Sequence, residues 1–252
     1  MAPRLRTALV VITLVGYSLV VGLPAMLIAW VLGTPTLLYR LSVAISRAAL
    51  WIGGVRIHVR GRELLDPQQN YLFMPNHCSN VDPPVVVAAL RREPLMMAKA
   101  SLFRIPVFGH VMAAVGFVPV MRSDRKAALV AIEQAGERLL AGHDFVIFPE
   151  GTRSRDDSIL PLKKGPFFLA QVGGVPVVPI RVRGTRNIMK RGGKVIYAGD
   201  VEIEICPPIE VNDGGLAPDA ARLDLRRRVS DELSGDLTPR GHRVTPEVHE
   251  HA

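Results

Sequence analysis

Cysteine and aromatic residues are scarce in this chain of 252 residues. Two cysteines, Cys78 and Cys206, cannot build a disulfide framework, so a reducing compartment is the default setting for the folded part. The two tryptophans, four tyrosines and eight phenylalanines are not interleaved with basic residues as in a base-stacking surface. Nucleic-acid binding is therefore disfavoured, although the net charge of +8 predicts an anionic partner such as a membrane surface or a phosphorylated substrate.

Several sequence motifs of common enzyme classes are also missing. The chain contains no G-x-G-x-x-G, no phosphate-loop glycine-lysine motif and no G-x-S-x-G elbow, which removes the usual support for dinucleotide, nucleoside triphosphate or serine hydrolase chemistry. Residues 236–252 are polar and are predicted to be a disordered tail. Its histidines, His242, His249 and His251, lack cysteine or acidic ligands at fixed spacing, so we interpret them as solvated and predict no metal site.

Charge is absent from residues 7–39, a run longer than the roughly 20 apolar residues that span a hydrocarbon core. Two interpretations remain open. Residues 8–32 form one tilted, kinked transmembrane helix, or two halves fold at Gly22-Leu23-Pro24 and enter and leave one leaflet. A secretory signal peptide is disfavoured, because the run is longer than the apolar region of a usual signal peptide and lacks a clean small-x-small cleavage site. The sequence predicts membrane attachment.

Residues 36–52 read as an amphipathic helix. Arg40 and Arg47 share one face, and the other side carries Leu37, Leu38, Leu41, Ile45, Ala48 and Trp51. Such a helix can lie flat at a lipid interface or pack as an ordinary core helix, and the sequence does not separate the two. We therefore assign residues 1–52 to a membrane-anchoring unit of hydrophobic and amphipathic helices.

From residue 53 the pattern alternates between strands and helices, which predicts an α/β domain over 53–235 with a mixed sheet flanked by helices. The predicted strands are 55–59, 71–74, 94–98, 117–120, 144–148, 175–180, 195–197 and 201–206. The clearest predicted helices are 124–141, with Ser123 as its cap, and 219–234.

The segment Asn76-His77-Cys78-Ser79-Asn80-Val81-Asp82 lies between an apolar strand and a predicted helix, with Asp82 at the helix N-cap position. Such a turn can fold the carboxylate back onto one imidazole nitrogen and leave the other free, which is the arrangement of a general base. A hydrogen-bonded structural pair is the alternative.

A second candidate region contains glutamate, glycine and arginine in a turn that leaves a strand, Phe148-Pro149-Glu150-Gly151-Thr152-Arg153-Ser154. Free backbone N–H groups in such a turn can meet an anion. Arg122 follows another strand, and arginine binds phosphate oxygens in a bidentate manner. Because ligands bind at strand carboxyl ends in open α/β sheets, Arg122 and Arg153 are candidates for a phosphate clamp; solvated surface charge is the alternative for each.

At this point the chain resembles the glycerolipid acyltransferases, most closely the 1-acylglycerol-3-phosphate acyltransferases. Four segments are similar to the family's motifs in order: 76–82 to its H-x4-D motif, Gly116-Phe117-Val118-Pro119-Val120-Met121-Arg122 to its second, 148–154 to its third and 175–179 to its fourth. The resemblance implies acyl transfer from acyl-CoA or acyl carrier protein to a lysophospholipid hydroxyl, making phosphatidic acid for phospholipid biosynthesis.

The same resemblance implies roles for particular residues. His77 would be the general base and Asp82 would orient its ring, while Arg122, Glu150, Gly151, Thr152 and Arg153 would bind the acceptor's glycerol phosphate. It implies no metal or redox cofactor, a membrane-associated enzyme and a catalytic domain on the cytoplasmic side. Glycerol 3-phosphate or another lysolipid remains an alternative acceptor. A thioesterase using Ser79 or Cys78 as nucleophile and a non-catalytic lipid-binding protein are the alternatives outside the class.

Overall fold

The computed structural model describes residues 1–121, 124–156, 158–211 and 215–235. Its strands are β1 (Val55–Arg60), β2 (Leu72–Pro75), β3 (Leu95–Lys99), β4 (Val118–Val120), β5 (Phe145–Val146), β6 (Val177–Arg183) and β7 (Gly199–Ile205). Its α-helices are α1 (Pro3–Tyr17), α2 (Leu23–Leu32), α3 (Pro35–Ile52), α4 (Asp82–Leu90), α5 (Phe108–Ala114), α6 (Arg125–Leu140), α7 (Gly165–Gly173), α8 (Thr185–Ile188) and α9 (Pro218–Ser234). A π-helical turn (Ser18–Gly22) joins α1 to α2, and 3-10 turns lie at Arg62–Leu64 and Ala100–Arg104.

The strands form one mixed sheet in the order β1-β7-β6-β2-β5-β3-β4. The five strands from β6 to β4 are parallel to one another, whereas β7 runs antiparallel to β6 and β1 runs parallel to β7. The predicted mixed α/β sheet is therefore confirmed. All five parallel strands end at the same edge, which we call the carboxyl edge.

Alternating side chains of β2 enter two separate cores. Phe73 packs on one face with the apolar residues of α4, and Leu72 and Met74 pack on the other face with α6, α7 and α9. Both faces of β2 are buried, which explains why it reads in the sequence as a continuous apolar run rather than an alternating one.

The N-terminal segment is one helical stretch rather than a hairpin folded at Gly22-Leu23-Pro24. Gly22 has helical dihedral angles, and the chain reverses only at Gly33, whose φ of 64° is the left-handed conformation that ends α2. Within the described residues, the stretch Pro3–Ala29 is long and apolar enough to cross a membrane by length and composition, and only 11% of its most apolar window is buried. Helix α3 then folds back against α1 and α2.

Helix α3 departs in part from the predicted amphipathic pattern. Arg40 and Arg47 are exposed as expected, but so are Leu37 and Trp51. The buried positions are Leu38, Tyr39 and Leu50. The helix is covered by α2 near its start and by the domain near its end, so its buried side changes along its length.

Three local predictions are wrong or fall outside the described residues. Residues 195–197 form no strand, because Ile196 and Tyr197 donate their N–H groups to Thr7 Oγ1 and the Ile188 carbonyl instead of to a neighbouring strand. Asp124 caps α6 by accepting from the N–H groups of Lys126 and Ala127, and the predicted cap Ser123 lies outside the described residues. The predicted disordered tail, 236–252, lies outside them too, with its three histidines.

The predicted division at residue 52 stays a prediction. Leu50, near the end of α3, shares a core with Val85 and Val59 of the α/β unit, so the N-terminal helices and the domain are packed together.

Candidate active site

The loop between β2 and α4 holds the histidine–aspartate pair. Strand β2 ends at Pro75, and α4 begins at Asp82 with Pro83 in its first turn, where a missing N–H costs nothing. His77 Nδ1 lies 2.6 Å from Asp82 Oδ2. The pair predicted from the sequence spacing is therefore present at the carboxyl edge, and Nε2 is the ring nitrogen left to act on a substrate.

Asp82 does not cap α4 as predicted, because its carboxylate turns back into the loop; Val81 stands at the N-cap position. Besides the imidazole, Oδ2 accepts the backbone N–H groups of Cys78 at 2.7 Å and Ser79 at 2.8 Å. Asp82 is fully buried, and its Oδ1 has no hydrogen-bond partner among the described residues. Three contacts on one oxygen hold the carboxylate turned into the loop.

Phe148 supports the imidazole from one side. The two rings stack with centroids 4.1 Å apart and planes 28° apart. Only 11% of the His77 side chain is exposed. Stacking and the bond to Asp82 together fix the ring orientation, which a general base needs for efficient proton transfer.

Glu150 binds the backbone of the loop between β2 and α4. Its Oε1 accepts the backbone N–H of His77 at 2.7 Å, and its Oε2 accepts that of Leu160 at 2.9 Å. The side chain is 1% exposed, and burial raises the pKa of its carboxyl above the usual value, an effect that the two N–H donors partly offset. This geometry supports a positioning role for Glu150, and its predicted contact with the acceptor stays a prediction.

Within the third motif, residues 148–154, the chain turns at Gly151. Its φ is 68°, and a Cβ there would lie 3.3 Å from Lys163 Cγ, so a larger residue would be strained and crowded. Thr152 and Arg153 follow, both half-buried. Arg153 Nη1 donates to Asn80 Oδ1 at 2.8 Å, which brings this predicted phosphate-binding arginine next to the histidine loop. The partner Arg122 lies outside the described residues; β4, which precedes it, ends at Val120.

Two residues of this network were not found from the sequence. Asn80 lies inside the H-x4-D segment and bonds to Arg153. Arg191 is distant in sequence, yet its Nη1 donates to the Arg153 carbonyl at 2.7 Å. The position of Asn80 within the H-x4-D segment could have marked it as a site residue. No spacing in the chain marked Arg191 as one.

The alternative nucleophile Ser79 is turned away from the imidazole. Its Oγ donates to the Met189 carbonyl at 2.7 Å and also accepts the N–H of Val81 at 3.2 Å, and the residue is fully buried. A serine nucleophile donates its hydroxyl proton to the base, and this hydroxyl is engaged elsewhere.

Comparison with known proteins agrees with this geometry. A family model described as Acyltransferase matches residues 56–183, which run from β1 to the end of β6 and include the histidine–aspartate pair and the third motif. The chain belongs to this acyltransferase family.

Named relatives within the family share their description. A chloroplastic 1-acyl-sn-glycerol-3-phosphate acyltransferase of Brassica napus is 36% identical over 60% of this chain and 44% of its own. A 1-acyl-sn-glycerol-3-phosphate acyltransferase of Borreliella burgdorferi is 31% identical over 68% of this chain and 70% of its own. The chain spans about half the length of several curated relatives it matches, 44%, 56% and 48% in three of them.

A solved structure shares the fold of this acyltransferase. The crystal structure of the 1-acyl-sn-glycerophosphate acyltransferase PlsC from Thermotoga maritima superposes with a TM-score of 0.71. The match covers 92% of this chain and 99% of the other at 23% identity. A match over 92% of the chain extends well beyond residues 56–183 into the flanking segments.

Proposed function

We propose that this protein transfers a fatty acyl group from acyl-CoA or an acyl carrier protein thioester to the free hydroxyl of 1-acylglycerol 3-phosphate and so makes phosphatidic acid. The observation that carries the proposal is the 2.6 Å contact between His77 Nδ1 and the buried Asp82 carboxylate, with Arg153 linked to the same loop through Asn80. A base and a phosphate-binding cation at one strand edge suit an acceptor that carries both a hydroxyl and a phosphate. The names of the relatives support that acceptor.

The reaction needs one base and no covalent enzyme intermediate. His77 Nε2 takes the acceptor's hydroxyl proton as the oxygen attacks the thioester carbonyl carbon, and Asp82 stabilises the imidazolium that forms. The tetrahedral intermediate then expels the thiolate, the C–S bond breaks, and the imidazolium returns its proton to the sulfur. The products are the ester and the free thiol, and these steps require no metal or redox cofactor.

Arg153 and Arg122 are proposed to bind the acceptor's phosphate. A guanidinium presents its N–H groups in a fork that matches two phosphate oxygens. The bond from Arg153 Nη1 to Asn80 leaves other guanidinium N–H groups for an anion, and Arg191 holds the Arg153 backbone in place. Gly151 and Thr152 would contribute through the backbone of the same turn.

The N-terminal helices are proposed to lie along the side of the domain and to attach it to the membrane there, instead of crossing the membrane as one upright span. Thr7 contacts Ile196, Tyr17 donates to the Leu41 carbonyl, and Ala25 and Ala29 share a small core with Leu38, against which Val111 and Val115 pack. An upright transmembrane helix would touch a water-soluble domain only near one end. Contacts with the domain near both ends of the stretch, at Ile196 and at Val111 and Val115, favour a domain that rests on one leaflet.

A cytoplasmic position of the catalytic domain is part of the same proposal. Cys78 and Cys206 are buried and are not joined in a disulfide bond, which fits a reducing compartment, and thioester donors are cytosolic metabolites. The lipid acceptor would reach His77 from the leaflet on which the domain rests.

A substrate panel tests the function. Purified full-length protein is offered labelled acyl-CoA or acyl carrier protein with 1-acylglycerol 3-phosphate, glycerol 3-phosphate or lysophosphatidylcholine, and the lipid products are identified. Labelled phosphatidic acid formed from the first acceptor alone supports the proposal. Product from glycerol 3-phosphate instead would reassign the acceptor. Thiol release without any acceptor would indicate a thioesterase, and no turnover with any pair would indicate a lipid-binding protein.

A further inference from the structure

The connection from β3 to α5 carries apolar side chains on its outer surface. We call residues 99–108 the β3–α5 turn; it includes the 3-10 helix Ala100–Arg104. Leu102, Ile105 and Phe108 are 36%, 44% and 48% exposed. Contiguous exposed apolar surface on a protein marks a place where another apolar phase or molecule binds.

The position of the turn in the sheet places it beside the candidate active site. It begins where β3 ends, and β3 is parallel to β2, so the turn projects from the same carboxyl edge as His77. Only β5 separates β2 from β3 in the sheet, and neighbouring strands are about 4.8 Å apart. The turn and the base therefore face the same environment.

Helix α2 and the turn are continuous in space. Val107 Cγ1 lies 3.5 Å from the position that a Cβ on Gly22 would occupy. Just beyond the turn, Val111 packs against Ala25 and Ala29 of α2. Helix α2 therefore meets the turn and α5 through its small residues, and exposed apolar side chains such as Leu27 (61%) and Val31 (67%) lie on its outer side.

The backbone of the turn is held in an unfavourable conformation. Val107 has φ 61° and ψ −60°, which a β-branched residue rarely adopts. Such strain persists where surrounding contacts over-determine it, and here it directs Val107 inward onto Gly22 while Ile105 and Phe108 stay outside.

Two exposed cations accompany these apolar side chains. Lys99 begins the turn and Arg104 lies between Leu102 and Ile105. Basic residues beside exposed apolar ones suit a membrane surface with anionic lipids, because the cations stay with the head groups while the apolar side chains enter the acyl region.

We propose that the β3–α5 turn is a second membrane contact, separate in sequence from the N-terminal helices, that seats the carboxyl edge of the sheet on an anionic leaflet. The inference rests on the proposed membrane attachment of this acyltransferase. With α1 and α2 along one side and the turn beside the base, the domain has two points of support. The orientation of the active site toward the leaflet is then fixed.

A single-site fluorescent label tests the contact. Both native cysteines are buried, so an introduced Phe108→Cys can be labelled with an environment-sensitive maleimide in the full-length protein. Leu223→Cys is the matched control, since Leu223 is 64% exposed on α9, which packs on the other face of the sheet from α4. Ile105→Cys provides a second label position should the Phe108 variant fail to fold.

Vesicles of phosphatidylcholine with phosphatidylglycerol are the probe. The label at 108 should shift to the blue on vesicle binding and be quenched by lipids that carry a nitroxide on the acyl chain, whereas the label at 223 should do neither. A label at 108 and at 105 that stays in water while the protein is bound would overturn this contact and leave the N-terminal anchor standing. Protein that does not bind the vesicles at all would overturn both.

Two further outcomes identify other occupants of the turn. A shift that appears without vesicles and grows with protein concentration would assign the surface to a second copy of the chain. A shift that follows addition of acceptor below its aggregation limit would assign it to the acceptor's acyl chain. Either result would overturn the membrane contact.

Vesicle affinity gives an independent measure. The double variant Ile105→Ser/Phe108→Ser should lower the vesicle partition constant about tenfold, because two apolar side chains are lost from the bilayer. Leu223→Ser should leave it unchanged. Arg104→Gln should reduce the preference for phosphatidylglycerol over neutral vesicles several-fold, and equal affinities of this variant and the unaltered protein would contradict the role of the cation.

Discussion

Asp82 Oδ2 lies 2.6 Å from His77 Nδ1, within hydrogen-bond distance, and also accepts hydrogen bonds from the backbone N–H groups of Cys78 and Ser79. One buried oxygen therefore orients the imidazole and closes the loop that carries it. A substitution of Asp82 therefore disturbs both the orientation of the imidazole and the conformation of the loop. A substitution of the His77 side chain removes the imidazole but leaves the loop N–H groups bound to Asp82.

Replacing His77 and Asp82 should expose that difference. His77→Ala should remove acyl transfer, with a loss of about a hundred- to ten-thousand-fold, since a positioned base contributes that much. The thermal stability and the vesicle binding of the His77→Ala variant should change little. Asp82→Asn should lose comparable activity and also unfold at a lower temperature, because the amide cannot serve three donors as a carboxylate does. Initial rates and melting curves measure both effects. A His77→Ala enzyme with more than a few per cent of turnover would refute the base assignment.

Arg153 is predicted to act in acceptor binding. Arg153→Ala should raise the KM for 1-acylglycerol 3-phosphate by about 10- to 100-fold, the value of one charge-assisted hydrogen-bonded contact of roughly 1.5–3 kcal/mol, with little change in the KM for the thioester. Asn80→Ala, which removes the support of the guanidinium at 2.8 Å, should shift the same constant in the same direction by less. Two-substrate kinetics separate the constants. An effect confined to the thioester would contradict the assignment.

Glu150 is predicted to position His77 rather than to bind substrate. Glu150→Gln keeps one acceptor oxygen but turns an amide N–H₂ toward a backbone N–H, so the loop should shift and kcat should fall about tenfold or more at nearly constant KM. A rise in acceptor KM at constant kcat would instead support direct acceptor binding.

The pH dependence of stability provides a second readout for Glu150. Burial raises the pKa of Glu150 in the folded state. The contribution of Glu150 to the free energy of unfolding is therefore complete below its unfolded-state pKa, and it is lost as the pH rises through its folded-state pKa. Glutamine does not ionise. The difference in unfolding free energy between the unaltered protein and Glu150→Gln should therefore be larger near pH 4 than near pH 7. Denaturant titrations at the two pH values measure it, and a difference that grows with pH would contradict the raised pKa.

The N-terminal helices are predicted to be needed for both attachment and solubility. Deleting residues 1–35 should release the protein from vesicles and uncover Leu38, which is now 2% exposed, together with the apolar side of α5. The truncated protein should therefore aggregate unless detergent is present. Flotation assays and light scattering check the two effects. A truncated protein that still floats with vesicles would show that α3 and the β3–α5 turn suffice.

Much of the site was predictable because its groups follow apolar strands. The strands before His77 and Glu150 read as continuous apolar runs, and parallel strands bring their carboxyl ends to one edge, so the two motifs had to approach each other. The contacts between them were not predictable. Glu150 was expected to face the acceptor, yet both its oxygens bind backbone N–H groups, because the direction of a side chain in a turn depends on how the neighbouring loop closes.

The amino-acid sequence by itself determined the α/β class, the membership in the acyltransferase family and the apolar N-terminal helix. Each depends on periodicity, composition or short motifs, which are local properties of the chain. Only the tertiary structure decided that Arg191 supports Arg153, that Ile196 bonds to Thr7 of α1 instead of extending the sheet, and that Val107 of the β3–α5 turn meets the N-terminal helices at Gly22. These features are contacts between distant segments, and packing rather than local pattern determines which distant segments meet.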